Sequence, residues 1–167
     1  NIFGLPANFT DLYKLKKKFN LLIIEDAAQS FGSSIDGKMS CSFGDIGCTS
    51  FFPAKPLGCY GDGGAIFTDD DEIADILKSI RVHGTGTDKY DNVRVGINGR
   101  LDTIQAAILI PKLEIFSKEI ELRNNVANIY SKRLNNSFGL QKIPEGYISS
   151  WAQYSIICNS TEHRDSI

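Results

Sequence analysis

The sequence predicts an α/β fold in which a mostly parallel sheet is flanked by helices. Three observations carry that prediction. The run Leu21-Leu22-Ile23-Ile24 shows no polar alternation and ends abruptly in Glu25-Asp26, as a strand covered on both faces would. An amphipathic segment precedes it, with Leu12, Leu15 and Phe19 at helical spacing. Two further strand-like runs, 45–51 and 64–68, are followed by another amphipathic segment.

The elements follow in order. Residues 1–6 read as a short loop, and Asn8 or Thr10 can cap the first helix. A helix leading into a buried strand is half of a βαβ unit, so a preceding strand is expected before Asn1. Asp36-Gly37 centres a tight turn between short extended pieces over 35–39. Asp69, Asp70 and Asp71 offer caps for a helix that turns Ile73, Ile76, Leu77 and Ile80 inward and ends at Gly84. Residues 85–97 are polar and expected to be mobile. Asp102 and Gln105 stand at capping-box spacing. A long helix is expected after them, from the stripe Leu109, Leu113, Phe116, Ile120, Ala127, Tyr130 and Leu134, with a kink or break at Pro111. Residues 139–150 read as loop, 151–157 as a strand, and 160–166 as the first turn of a helix. The chain begins without methionine, and both ends read as cuts in a longer protein. The expected division is 1–108 as the C-terminal part of a large domain, 109–138 as a connecting helix, and 139–167 as the beginning of a small domain.

Composition narrows the function classes. The 167 residues are 42% hydrophobic and 23% charged, with a net charge of -2, which is ordinary for a soluble domain. That balance offers no electrostatic reason for nucleic-acid or membrane binding. Lys14, Lys16, Lys17 and Lys18 read as a solvated helix face. No apolar run approaches the ~18–20 residues of a membrane span, and no signal-peptide pattern is present. Cys41, Cys48, Cys59 and Cys158 form no Cys-x-x-Cys pair, and His83 and His163 lack zinc-ligand spacing from them. No metal is expected. Reduced thiols in a cytoplasmic protein are.

The chemistry centres on Ser50-Phe51-Phe52-Pro53-Ala54-Lys55-Pro56-Leu57-Gly58, which sets one lysine between an apolar strand and a glycine-rich turn. A lysine there suits an amine that must lose its proton and attack a carbonyl. Asp26 falls where ligands sit in open α/β sheets, beyond the carboxyl end of a strand; a turn or helix cap is the other reading of it. Gly58, Gly61, Gly63 and Gly64 permit positive φ or close backbone approach, or simply a sharp turn, and they match no phosphate-loop pattern. Pyridoxal phosphate chemistry needs an amine, a carboxylate at the ring nitrogen and groups for the phosphate. Lys55, Asp26 and Ser50 can supply these.

The motifs Ile24-Glu25-Asp26-Ala27-Ala28-Gln29-Ser30, Thr49 to Gly58 and Gly61-Asp62-Gly63-Gly64-Ala65 resemble those of the DegT/StrS nucleotide-sugar aminotransferases, as do Gly96 to Leu101 and Gln105-Ala106-Ala107. The resemblance runs nearly end to end. Cys59-Tyr60 and the 108–116 helix look most like the branch acting on UDP-2-acetamido-2-deoxy-3-oxo-glucuronate. The resemblance implies a fold-type I, pyridoxal phosphate-dependent transferase, with a large α/β domain, a small C-terminal domain and a homodimer whose active site lies at the subunit interface. Lys55 then matches the Schiff-base lysine, Asp26 the ring-nitrogen partner, Gln29 a residue beside the ring, and Ser50 a phosphate ligand. Asn98 matches a residue reaching the partner's cofactor phosphate, and Arg100 a sugar-site position, with a structural ion pair as its other reading. One branch of the group carries histidine in place of lysine and dehydrates its substrate; Lys55 argues against that branch. The implied reaction moves an amino group from L-glutamate to a keto-sugar nucleotide for surface-polysaccharide precursors, with the C3 and C4 positions of the sugar both open. A pyridoxal-binding regulator and an inactive piece lacking the complete site are the other readings.

Overall fold

The computed structural model describes residues 1–88 and 90–167; Lys89, within the polar 85–97 segment, lies outside them. Helix α1 spans Phe9–Phe19 and is capped by Asn8, whose side chain accepts from the Asp11 N–H. Its inward contact is at its start. Phe9 is buried and stacks on Phe43 at 4.6 Å, and the Tyr13 hydroxyl donates to the Phe43 carbonyl at 2.8 Å. Leu15 and Phe19, expected on the buried face, are exposed.

The main sheet has the order β1-β4-β5, with β1 at Ile24–Asp26, β4 at Ile46–Ser50 and β5 at Gly64–Phe67. β1 pairs with β4 in parallel, and β4 with β5 antiparallel. The expectation of a doubly covered strand over 21–24 is corrected. The strand starts only at Ile24, and Leu22 and Ile24 are 81% and 69% exposed. Their apolar run is that of a two-sided strand, but the described chain places no layer over their face.

Between β1 and β4 lies the hairpin β2 (Ser34–Ile35) and β3 (Lys38–Met39). Its loop residues Asp36 and Gly37 both have positive φ, 48° and 81°, the backbone of the expected two-residue turn. Helix α2 (Asp71–Arg81) is capped by Asp70, and past its end the Gly84 N–H bonds back to the Ser79 carbonyl. The 32-residue helix α3 (Thr103–Leu134) runs through Pro111 without a break. Asp102 makes no side-chain cap bond there, so the expected capping box does not form.

The C-terminal residues are more ordered than their loop-like composition suggests. Residues 139–150 contain β6 (Gly139–Leu140) and β7 (Tyr147–Ile148), and β7 joins the hairpin beside β2. The strand expected over 151–157 shrinks to β8 (Ile156–Ile157), paired with β6. Trp151 has φ 46°, a left-handed conformation that ends an extended run, and its ring stacks on Tyr154 at 5.2 Å. Gly4 explains the crossing beside it. A Cβ there would lie 2.4 Å from the Trp151 nitrogen, while the Gly4 carbonyl accepts from the Ser150 N–H at 2.9 Å. Residues 149–151 are thereby fastened to the first residues of the chain. Helix α4 (Thr161–Asp165), capped by Ser160, is the expected first turn.

Asp45 joins α1 to the start of β4. One carboxylate oxygen pairs with Lys16 Nζ at 2.5 Å and the other accepts the Ile23 N–H at 2.8 Å. The Ile23 bond first, and Lys16 second, hold this carboxyl below its ordinary value. A depressed folded-state value contributes stability above the unfolded pKa of about 4 and loses it as pH falls through the folded value. Asp45→Asn is expected to cost about 1 kcal/mol in urea melts at pH 7, with the difference from the native protein shrinking toward pH 3. An equal difference at both pH values would refute this assignment.

Candidate active site

The register of β1 and β4 aligns Asp26 with Cys48. Side chains of aligned residues share a face and alternate along the strand, so Asp26, Cys48 and Ser50 lie on one face. Glu25, Gly47 and Thr49 take the other. Three predicted residues therefore belong to one end of the sheet: Asp26 at the carboxyl end of β1, Ser50 at that of β4, and Lys55 in the turn directly beyond.

That turn is held firmly on one side. The Lys55 N–H donates to the Phe52 carbonyl at 2.8 Å, and the Cys59 N–H to the Phe51 carbonyl at 2.8 Å. The Cys59 thiol lies 3.0 Å from the Phe51 carbonyl and 3.1 Å from that of Gly61. Leu57 and Cys59 are buried in one cluster with Phe51, Leu109, Phe116 and Ile120. The crowded glycines owe their place to close approach. A Cβ on Gly58 would sit 2.6 Å from the Pro53 carbonyl oxygen, and none of Gly58, Gly61, Gly63 and Gly64 has positive φ.

The polar groups at this end have unused capacity. One oxygen of exposed Asp26 accepts the Ala28 N–H at 3.0 Å, and the other has no partner among the described residues. The turn reading of Asp26 and the site reading thus each use one oxygen. Ser50 Oγ accepts from the Phe52 N–H at 3.2 Å, which leaves its own proton to donate. Lys55 is half-buried, and its Nζ has neither ion pair nor hydrogen bond among the described residues. Gln29 spends its side-chain oxygen on the Phe3 N–H at 2.8 Å and keeps its amide N–H groups. A carboxylate, an amine and a hydroxyl on one sheet end fit the ring nitrogen, aldehyde and phosphate of pyridoxal phosphate.

Asn98 and Arg100 make no hydrogen bond or ion pair with Asp26, Ser50 or Lys55 among the described residues, although their neighbour Leu101 packs against the cluster that holds the lysine turn. Both are exposed beside the end of α2, where Asn98 bridges Val82 and the Gly99 N–H donates to the Arg81 carbonyl at 2.8 Å. A cavity of about 1050 Å³ between the β4–β5 face and α2 is lined by apolar residues such as Phe31, Phe67, Leu77 and Leu101. None of the six predicted site residues lines it.

The thiols nearby are poor nucleophiles. Burial, then Glu25 and Cys48, push Cys41 up to about 12. Burial first, then Asp26 and Glu25, raise Cys48. Thiols held in that form are inert near neutral pH. All four cysteines are free, and no metal-binding group of side chains occurs among the described residues. No helix among them is long and apolar enough to cross a membrane.

Three residues of α3 support the lysine turn: Gln105, expected in a capping box, Arg123, expected on another face of the helix, and Lys112, to which the sequence assigns no role. Gln105 Oε1 accepts the Tyr60 N–H at 2.9 Å instead of capping its own helix. Lys112 Nζ donates to the Gly58 carbonyl, and Arg123 Nη2 to the Pro56 carbonyl at 3.4 Å. Their signal was polarity within an otherwise apolar helical stripe.

The DegT/DnrJ/EryC1/StrS aminotransferase family model matches residues 1–167. The chain is 50% identical over 163 residues to the UDP-2-acetamido-2-deoxy-3-oxo-D-glucuronate aminotransferase of Pseudomonas aeruginosa, covering 97% of this chain and 45% of that protein. A DegT DnrJ EryC1 StrS aminotransferase from Brucella abortus superposes with a TM-score of 0.93 at 50% identity, covering 96% of this chain and 43% of that one. DesV of S. venezuelae, solved in complex with a ketimine intermediate, superposes with a TM-score of 0.91 at 32% identity over 99% of this chain and 46% of that one. The chain spans less than half the length of these relatives.

Proposed function

The chain belongs to the DegT/DnrJ/EryC1/StrS aminotransferase family, and from that premise we propose that it carries the lysine half of a pyridoxal phosphate site in a nucleotide-sugar aminotransferase. The observation that carries this reading is Lys55: an amine without a partner among the described residues, in a turn locked to the core, at the sheet end that also bears Asp26 and Ser50. The whole protein takes an amino group from L-glutamate and gives it to a UDP-linked 3-keto sugar, for surface-polysaccharide precursors in the cytoplasm. It works as a homodimer with the site at the subunit interface, to which Asn98 contributes; Arg100 meets the sugar. The 50% identity to the Pseudomonas aeruginosa enzyme supports the 3-keto class.

Bound there, pyridoxal phosphate supplies an aldehyde and an electron-withdrawing ring that stores the amino group between the two half-reactions. Lys55 Nζ would hold the cofactor through its aldehyde and, with no other partner among the described residues, would be the group able to hold and move a proton beside it. The free oxygen of Asp26 would accept the N–H of the ring nitrogen, a charge-assisted bond that would keep that proton in place. The Ser50 hydroxyl would donate to the phosphate, and the free amide N–H groups of Gln29 would serve the ring oxygen.

Incubating the full-length protein with L-glutamate and a UDP-linked 3-keto sugar is expected to yield 2-oxoglutarate and amino sugar one for one. Turnover only with a 4-keto sugar would move the substrate class. No 2-oxoglutarate with either sugar would overturn the reading.

A further inference from the structure

The segment after Lys55 presents a backbone group to α3 at every second residue. These are the Pro56 carbonyl, the Gly58 carbonyl and the Tyr60 N–H, taken by Arg123, Lys112 and Gln105 respectively. The order reverses along the helix, so the segment runs in the opposite sense to α3. Gln105, Lys112 and Arg123 are seven and eleven residues apart, two and three helical turns, and so lie on one face. That face also carries Leu109, Phe116 and Ile120, which pack on Leu57 and Cys59.

Two of the three are cations in a half-buried setting, and neither belongs to an ion pair among the described residues. A cation removed from water needs acceptors. Here the acceptors are carbonyls of the lysine turn, and bonds to charged donors are the stronger, more directional kind. The Tyr60 ring covers Lys112 Nζ at 5.5 Å from its centroid. Arg123 also reaches the Trp151 carbonyl at 3.5 Å, so one guanidinium spans the lysine turn and the C-terminal residues.

We propose that Lys112 and Arg123 are positioning residues for Lys55. They fix the carbonyls one and three residues after it, and with them the direction in which the lysine amine is held. This rests on Lys55 being the lysine that anchors the cofactor. Lys112 is the stronger member, since its carbonyl belongs to Gly58, where the chain folds back against Pro53.

The test uses full-length protein. In Lys112→Met, the cofactor-free protein should exchange backbone amides of 54–61 about tenfold faster, with α2 unchanged. In the loaded protein kcat should fall about tenfold, with KM for the amino donor within about twofold, because a misdirected amine slows the proton transfer without weakening binding. The pH midpoint of the visible cofactor band should shift by about half a unit or more. Lys112→Arg should restore most of each change. Lys118→Met, which removes an exposed i,i+3 pair with Glu121 on another face, should change none. Native exchange, kcat and pH midpoint in Lys112→Met would overturn the proposal, as would losses that Lys112→Arg does not restore. Should Lys112→Met melt early, Lys112→Gln is read by the same measurements and the same criteria. Failure of the underlying reading is visible separately: the native protein would then lack a visible band that depends on Lys55.

Discussion

Replacing Lys55 with alanine abolishes the visible absorbance band of the loaded full-length protein and lowers turnover by about a thousandfold or more, the scale of losing both a covalent anchor and a general acid–base group. The fold survives the same change. The Lys55 side chain makes no bond among the described residues, whereas the turn is held by its backbone bond to Phe52 and by buried Leu57 and Cys59. Truncating a side chain with no partners costs about 0.5 kcal/mol or less, so the melting curve should barely move. A band that persists in the variant would remove Lys55 from the chemistry. A large loss of stability would instead show that this amine has a structural partner.

The largest effect on stability is expected at Glu25, one residue before Asp26 and on the opposite face. It is 2% exposed. Its Oε1 accepts from Asn1 Nδ2 at 2.8 Å, Ser40 Oγ at 2.9 Å and the Cys41 N–H at 3.0 Å, while Oε2 accepts the Phe43 N–H at 2.9 Å. A carboxylate can serve four donors at once; a glutamine cannot, because its NH2 would face another N–H. Glu25→Gln should therefore cost about 3 kcal/mol, the scale of leaving buried donors unsatisfied around a removed charge. Urea unfolding gives the size of the effect. Alkylation of Cys41 gives its location, since Glu25 is among the causes that hold this thiol up at about 12. The variant should react faster at Cys41 even below the unfolding transition. Native stability in Glu25→Gln would mean that the 40–43 turn is held by something other than this carboxylate.

Glu25 also shows how far the sequence could be read. In the sequence it is only the polar end of an apolar strand, beside Asp26. Strand alternation separates the two. Asp26 faces outward with a free oxygen, and Glu25 turns inward to organise a turn fifteen or more residues ahead. Nothing local distinguishes an acid with four donors from an acid in water, because those donors come from residues 1, 40, 41 and 43. Gln105 follows the same rule. Its spacing from Asp102 suited a cap, but the Tyr60 N–H, distant in sequence, took its oxygen.

By itself the sequence determined the elements whose causes are local. A cap at Asn8, one of two candidates, a cap among Asp69–Asp71, the Asp36-Gly37 turn, a strand within 45–51 and the Leu109, Phe116, Ile120 and Ala127 part of the α3 stripe all depend on residues within a turn or two of one another, whereas Leu113 and Tyr130 of that stripe are exposed. It also placed Asp26, Ser50 and Lys55 in order along the chain. Only the tertiary structure decided that β1 and β4 pair in parallel with Asp26 beside Cys48, that 139–150 contains strands, and that Lys112 and Arg123 hold the carbonyls after Lys55. Periodicity reports which face of an element is apolar. Which backbone groups a buried cation or acid finds opposite it is settled when distant segments pack, and there each unsatisfied donor or charge costs more than any local preference contributes.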